Sequence, residues 1–434
     1  MMTVWRLRDG ADRRIRSGHP WVFSNELLVS PKGHPPGAPV ELQDVKGQFV
    51  ARGYGNPHSL IAFRALTFNP QDSNPTGFDF LHNKILNSWS VRKATGFRGS
   101  FRLAFGESDY IPGLVLDYYV VDQKGKRAQV FVAQLVTAGM DQALQDVEGF
   151  FKGLVTKAIE AGYSKFTWDE TAVVIRNDVG VRKLEGLSNN EARVVKDLPE
   201  FNLSHIEILL NAAADEGVIK MSCDLRDGQK TGFFLDQTHN IHLAIALFKN
   251  WAKQQNTKFI RVVDLCCYVG HWSTQITRAL KAEGFEVEVN LVDISKTALA
   301  FAKENAEREG ATVVVHEMDV SKDLGNIATQ QFDIVIADPP AFIKAKKDIH
   351  VGKAAYIKMN THAFRMAKKN AFVASCSCSG LLEEEEFRDA IRKAALRNNS
   401  ELRSVLRGGH AADHPTLMQF PEGFYLKMYV HYVP

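Results

Sequence analysis

Five segments in the C-terminal half of the chain close an apolar run on a side chain able to do acid–base or nucleophilic chemistry. FIRVVD ends at Asp264, VEVNLVD at Asp293, ATVVVHEMD at Asp319 and FDIVIAD at Asp338, while NAFVASCSC ends on Cys376 and Cys378. Read as strands, these runs send four carboxylates and a thiol pair to one sheet edge. Ligands of open α/β sheets bind outside the carboxyl ends of the strands. A single Asp there has a plain explanation, because Asp also serves turns and helix N-caps. Five successive strand ends of this kind point to a site.

The loop after the first strand, CCYVGHWS, contains one glycine, Gly270. A pyrophosphate-binding GxGxxG needs its glycines for close backbone approach, so NAD and FAD fit poorly. Asp293 follows Gly270 by 23 residues, near the offset at which an acid meets a ribose diol. A ribose without a pyrophosphate is what S-adenosylmethionine offers. On that reading Asp319 meets the adenine amino group, and the loop after Asp264 faces the methionine end.

Asp338 opens DPPAF. Two prolines make a rigid strand exit without backbone donors, which can present Asp338 and a carbonyl to a base edge while Phe342 stacks on a displaced base. DPP can also simply end a strand, so the motif by itself does not choose the reacting atom. The cysteines bear on that choice. Cytosine C5 is a poor nucleophile until a group adds at C6, and a thiolate suits that task; amine methylation needs none. Cys223, Cys266 and Cys267 read most simply as buried structural residues. CC and CxC lack zinc-site spacing, so no metal is expected. Cys378 leads because a helix beginning just after Gly380 would lower its thiol pKa; Cys376, two residues back in the strand, is the reserve. The acceptor of the C5 proton stays open between water and Asp338.

Positioning such residues takes a large scaffold, and 434 residues suggest two or three domains. At 45% hydrophobic and 24% charged residues the chain is neither disordered nor collagen-like. No apolar run is long enough to span a membrane, five cysteines make no disulfide scaffold, and the charged first residues lack a signal-peptide pattern, so a cytoplasmic protein is expected. The net charge of +3 says little, but Ala341–Asn370 holds eight Lys or Arg against Asp348 alone. Arg6, Arg8, Arg13, Arg14 and Arg16 crowd the first seventeen residues. Such stripes suit phosphates, or merely solvated helix faces. Residues 1–67 look β-rich, 68–77 read as a polar linker, and 78–185 mix helix and strand. From about 186 apolar runs alternate with helical segments, the mark of a largely parallel α/β sheet. Glu383–Glu386 fit the first turn of a helix ending near Arg397.

DLCCYVGHWS, LVDIS, DPPAF and SCSCSGLL together resemble a class I S-adenosylmethionine-dependent methyltransferase. More narrowly they resemble the bacterial large-subunit ribosomal RNA cytosine-C5 methyltransferases that carry an N-terminal PUA domain. GQKTGFFLDQ (228–237), PWVFSNEL (20–27) and ADHPTLMQFPEGFYLK (412–427) match as well, so the resemblance spans essentially the whole chain. It implies a PUA module at 1–67, an α/β middle domain at 78–185 and a Rossmann-like methyltransferase domain at 186–434. It places Lys230, Phe234, Asp236 and Gln237 in the cofactor pocket beside Asp264, Gly270, Asp293 and Asp319. It matches Cys378-Ser379-Gly380-Leu381 to the family's nucleophile segment, and Arg13, Arg14, Trp21, Phe342, Lys346 and Lys347 are the expected RNA contacts. One departure stands out: where the family continues LDQR, this chain has Thr238. By local pattern alone GQKTGFFLDQ is a Gly-hinged strand, and guanine-N2 methyltransferases share it. The function expected is methylation of C5 of a cytidine in 23S rRNA, through Cys378 adding to C6 and Asp338 holding the N3/N4 edge. A homodimer is compatible with the sequence. The rivals are an exocyclic-amine rRNA methyltransferase and a catalytically silent RNA-binding protein.

Overall fold

A computed structural model describes residues 2–213, 217–322 and 324–434. The chain forms two compact units. One gathers the chain up to Leu209 with Asp224–Leu235 and Ala412–Gly423; the other comprises Leu210–Cys223, Asp236–Ala411 and Phe424–Pro434.

The first unit opens with a five-stranded sheet ordered Thr3–Arg6, Pro39–Gln43, Phe49–Gly55, Ile61–Thr67 and Trp21–Phe23. Alternating inward side chains of its strands, among them Val22, Val40, Leu42 and Phe63, meet Leu7 and, from the short helix Asp12–Arg16, Ile15 to make one small core. A second sheet in this unit centres on the hairpin Leu114–Gln123 and Lys126–Leu135. Its two-residue turn puts Lys124 at φ 54° and Gly125 at φ 83°, the left-handed pair that matches strand twist. Helix Phe78–Ala94 lays Trp89 against Tyr118 and Phe131 of that hairpin. The two sheets are tied by buried charge: Arg64 binds Glu107 at 3.0 Å and Glu185 at 2.7 Å, and Asn56 donates to Glu185 at 2.8 Å.

The second unit is a seven-stranded sheet ordered Thr312–Glu317, Glu286–Asp293, Phe259–Leu265, Phe332–Ala337, Ala367–Ser377, Lys427–Val433 and Arg403–Gly408. The first five run parallel; the last two are antiparallel to their neighbours. This is the class I methyltransferase sheet. Strands covered on both faces must be apolar throughout, and Phe332–Ala337 is buried at every position. One face packs on Ile241, Phe248, Ile276, Leu280 and Leu299. The other packs on Tyr356, Met359, Phe364, Phe387 and Ile391. Strand order reverses between Phe259–Leu265 and Phe332–Ala337, which opens the crevice at their carboxyl ends.

Two local expectations differ from the structure. GQKTGFFLDQ is a turn leading into the short helix Leu235–Gln237, not a strand. Gly232 sits at φ 102° in contact so close that a Cβ would lie 2.6 Å from the Asp224 carbonyl oxygen, which breaks any extended run. The helix after Cys378 starts at Glu384, not just after Gly380. Its Glu383–Glu386 capping box, a local signal stronger than the permissive Gly380-Leu381 pair, sets the start.

Candidate active site

At the crevice, Asp264 ends its strand fully buried. Its Oδ2 accepts from the Ser273 hydroxyl in a short contact, and its Oδ1 has no partner. Burial pushes this carboxyl up to about 7. The CCYVG loop that follows is sharply coiled, with Cys266 at φ 65°, Tyr268 at φ 50° and Gly270 at φ 79°. A Cβ on Gly270 would press on Ala302 at 3.1 Å, so the position suits glycine twice over.

Asp293 fixes that loop. Its carboxylate accepts the Tyr268 N–H at 2.9 Å and the Ser295 N–H at 2.8 Å, and Ser295 caps helix Lys296–Arg308 through Ala298 N. The sequence Asp-Ile-Ser therefore joins strand end, loop and helix cap in three residues. Asp319 lies two residues beyond strand Thr312–Glu317 and accepts the N–H and hydroxyl of Ser321 at 2.9 and 2.6 Å. These bonds hold its carboxyl below the usual range.

Asp338, one residue past Phe332–Ala337, is the centre of a network. Gln237 Nε2 donates to both of its oxygens at 2.8 and 2.9 Å, and Trp272 Nε1 donates to Oδ2 at 3.1 Å. Gln237 Oε1 in turn accepts from Asn240 at 2.7 Å. Desolvation nonetheless pushes Asp338 up to about 7, with Asp236 and Asp264 adding to the rise and the Trp272 and Gln237 bonds opposing it. Asp236 is buried and accepts the Tyr425 hydroxyl at 2.6 Å.

The two strand-end cysteines differ in setting. Cys376 is buried inside Ala367–Ser377, where burial and then Asp338 drive its thiol well up. Cys378 lies past the strand end, half-buried, with Sγ 3.8 Å from the Pro339 carbonyl oxygen of DPPAF. Ser379 next to it ties the two segments, accepting the Ile343 N–H at 3.1 Å and sharing a bond with the Tyr356 hydroxyl at 2.9 Å. Phe342 packs edge-on against Tyr356 with ring centroids 4.9 Å apart.

The remaining sequence-derived residues have varied settings. Lys346 and Lys347 are exposed in the short helix Lys346–Asp348. Lys353 and Lys368 of the same basic stretch pair with Glu386 and Asp333. In the first unit Arg13 is exposed. Arg14 donates to Glu26 at 2.8 Å and lies over Phe23. Trp21 donates to Glu107 at 2.8 Å and packs on Phe420. Lys230 and Phe234 also belong to the first unit, the ammonium 4.3 Å from the ring centre. Among the described residues no group of three or more His, Cys, Asp or Glu is placed to hold a metal ion, and no helix is long and apolar enough to cross a membrane.

Sequence reasoning missed Trp272, Asn240, Tyr356, Tyr425 and Lys427. Trp272 stands within CCYVGHWS, and Tyr425 and Lys427 within the tail FYLK, so aromatic and basic residues inside matched motifs were the available signal.

Family comparison places this architecture. A PUA-like domain family matches residues 6–68 and a Methyltransferase domain family matches residues 256–417, so the chain joins a PUA-like module to a class I methyltransferase domain. Solved structures share the fold end to end. A Streptococcus mutans chain assigned as a SAM-dependent methyltransferase superposes with TM-score 0.72 at 16% identity over 100% of both chains. A second methyltransferase-assigned chain, solved with SAH, gives 0.73 at 16% identity over 100% of both. Ribosomal RNA large subunit methyltransferase I of Photobacterium profundum is 32% identical over 443 residues and 100% of both chains. The protein of that name from Aeromonas hydrophila is 31% identical over 428 residues, 96% of each. The chain belongs to the ribosomal RNA large subunit methyltransferase I family.

Proposed function

We propose that this protein methylates C5 of a cytidine in 23S ribosomal RNA, using S-adenosylmethionine and a transient bond between Cys378 and C6. The observation that carries the reading is the placement of Cys378 Sγ against the Pro339 carbonyl, one residue from Asp338, at neighbouring strand ends. The cofactor supplies an electrophilic methyl group. The residues of the second unit suit it: the partnerless, buried Asp264 Oδ1 is an acceptor for an ammonium, Gly270 keeps the loop clear of a side chain, and Asp293 and Asp319 supply carboxylates for a ribose diol and an adenine amino group. Asp236 and Gln237 border the same crevice through Asp338. The roles of Lys230 and Phe234 rest on the family motif alone.

On the base, the Cys378 thiolate adds to C6 and the C5–C6 π electrons become available at C5. A carboxyl with a pKa of about 7 carries its proton half the time near neutrality, so Asp338 can share a proton with N3 and draw electron density from C6. After methyl transfer, loss of the C5 proton to water or Asp338 expels the thiolate and restores the ring. Phe342 stacks on the base, while Lys346, Lys347 and Arg13, with Arg14 and Trp21 in the PUA-like module, hold RNA.

Mass-spectrometric nucleoside analysis of 23S rRNA from cells lacking the gene tests the reading. Loss of 5-methylcytidine, restored by the wild-type gene, is expected. Loss of N2-methylguanosine instead would assign amine chemistry, and an unchanged nucleoside profile would leave an RNA-binding role.

A further inference from the structure

A thiolate is the reactive form of Cys378, and a run of acids follows it in sequence. Helix Glu384–Arg397 follows, with Glu383 at its N-cap and Glu384, Glu385 and Glu386 in its first turn. These acids already answer the helix dipole. Asp338 stands at the neighbouring strand end, and the Tyr356 hydroxyl, on helix Ile349–Met366, meets Ser379. Two nearby cations are engaged elsewhere, Lys353 with Glu386 and Arg407 with Glu384.

Lys427 is placed differently. It begins strand Lys427–Val433 and pairs in register with Ser377, the residue before Cys378. Its half-buried ammonium donates to the carbonyl oxygens of Ser379 at 2.9 Å and Leu382 at 2.7 Å. Both carbonyls belong to the turn that leaves Cys378, so the charge is locked one residue from the thiol. An ammonium has three donors, and the turn uses two.

We propose that Lys427 is a positioning residue that fixes the Cys378–Leu382 turn and holds the Cys378 thiol ionised near neutral pH. The inference rests on Cys378 being the nucleophile. Burial pulls the Lys427 ammonium below the usual lysine value, while Glu383, Cys378 and Glu384 push it back up; an ionised Cys378 and a charged Lys427 thus support each other. Without Lys427 the turn loses the ammonium that favours the thiolate.

The test is the pH profile of iodoacetamide alkylation at Cys378, resolved from Cys376 by fragment mass spectrometry, in wild type, Lys427→Met and Lys427→Arg. Lys427→Met is expected to move the midpoint up by a pH unit or more. It should also lower kcat at pH 7 at least tenfold and regain activity at pH 9. Lys427→Arg, which keeps the charge, should hold the wild-type midpoint. An unchanged midpoint in folded Lys427→Met overturns the proposal. If Lys427→Met fails to melt cooperatively, Lys427→Gln carries the same comparison. Activity retained by Cys378→Ala would sink the nucleophile reading instead, and the alkylation midpoint, which needs no turnover, separates that failure from this one.

Discussion

The side-chain amide of Gln237 grips both carboxylate oxygens of Asp338, at 2.8 and 2.9 Å, across 101 residues of sequence. This contact does two things. It fixes the carboxyl plane at the strand exit, and by stabilising the ionised form it opposes the rise that burial imposes on Asp338. Gln237→Leu should therefore raise the Asp338 pKa and let the carboxyl swing. Hydrogen bonds to a charged group are worth about 1.5–3 kcal/mol, so kcat at neutral pH should fall roughly ten- to hundredfold. The alkaline limb of the kcat profile, where Asp338 loses the proton it shares with N3, should move to higher pH. A profile superimposable on wild type would remove Gln237 from the site.

Asp293 holds the loop and, on the proposed reading, the ligand as well. Asp293→Ala should weaken S-adenosylmethionine binding by about 1.5–3 kcal/mol or more. It should also loosen the CCYVG loop, because Tyr268 N and Ser295 N lose their acceptor. Titration calorimetry reads the first effect, and unchanged affinity in a folded variant contradicts it.

Asp264 and Asp338 make stability depend on pH in one direction. Both carboxyls are raised from 3.8 to about 7 in the folded protein. The native state then binds more protons than the unfolded state between these values, so stability is full below about pH 4, falls as pH rises, and levels off above pH 7. For Asp264 alone the loss is at most about 4 kcal/mol. Asp264→Asn should flatten the slope and raise the chemical-denaturation midpoint at pH 8, while weakening cofactor binding. A slope unchanged in that variant, from denaturant titrations at pH 5 and pH 8, would show that Asp264 is ionised in the fold.

RNA affinity should depend steeply on salt, because each neutralised phosphate releases counterions. Lys346→Gln with Lys347→Gln should reduce the slope of log Kd against log salt by roughly two and leave cofactor affinity intact. An unchanged slope takes the pair out of the RNA interface. Point variants are the better tool here than deleting 1–67, since Arg64 and Asn56 tie that module to Glu185 through buried polar bonds. Deletion would leave Glu185 buried and without those partners.

Much of the second unit was legible because buried parallel strands write themselves as unbroken apolar runs. FDIVIA, closed by Asp338, needs no neighbour to be recognised, and the glutamates at 383–386 announce their helix. Other features depend on partners that sequence spacing does not reveal. Asp319 stands outside its strand because pairing stops at Glu317. The bonds of Gln237 and Trp272 to Asp338 arise only when the crossover brings the loops together. Nothing in the tail 412–427 singles out Lys427, because what sets it apart is its antiparallel register with Ser377. The glutamates at 383–386 mark the first turn correctly, so the helix starts at Glu384, three residues past the position just after Gly380 expected from the thiol chemistry.

The central claim is covalent chemistry at Cys378, and 5-fluorocytidine tests it most directly. Fluorine at C5 cannot leave as a proton, so an enzyme that adds through sulfur stays attached to its RNA after methyl transfer. A 23S rRNA fragment that the enzyme methylates, transcribed with 5-fluorocytidine in place of cytidine, should form a complex with wild type that survives denaturing electrophoresis. Cys376→Ala should still form it, and Cys378→Ala should form none while binding S-adenosylmethionine and RNA normally. A complex that persists in Cys378→Ala, or none at all with an actively methylating wild type, would contradict the account.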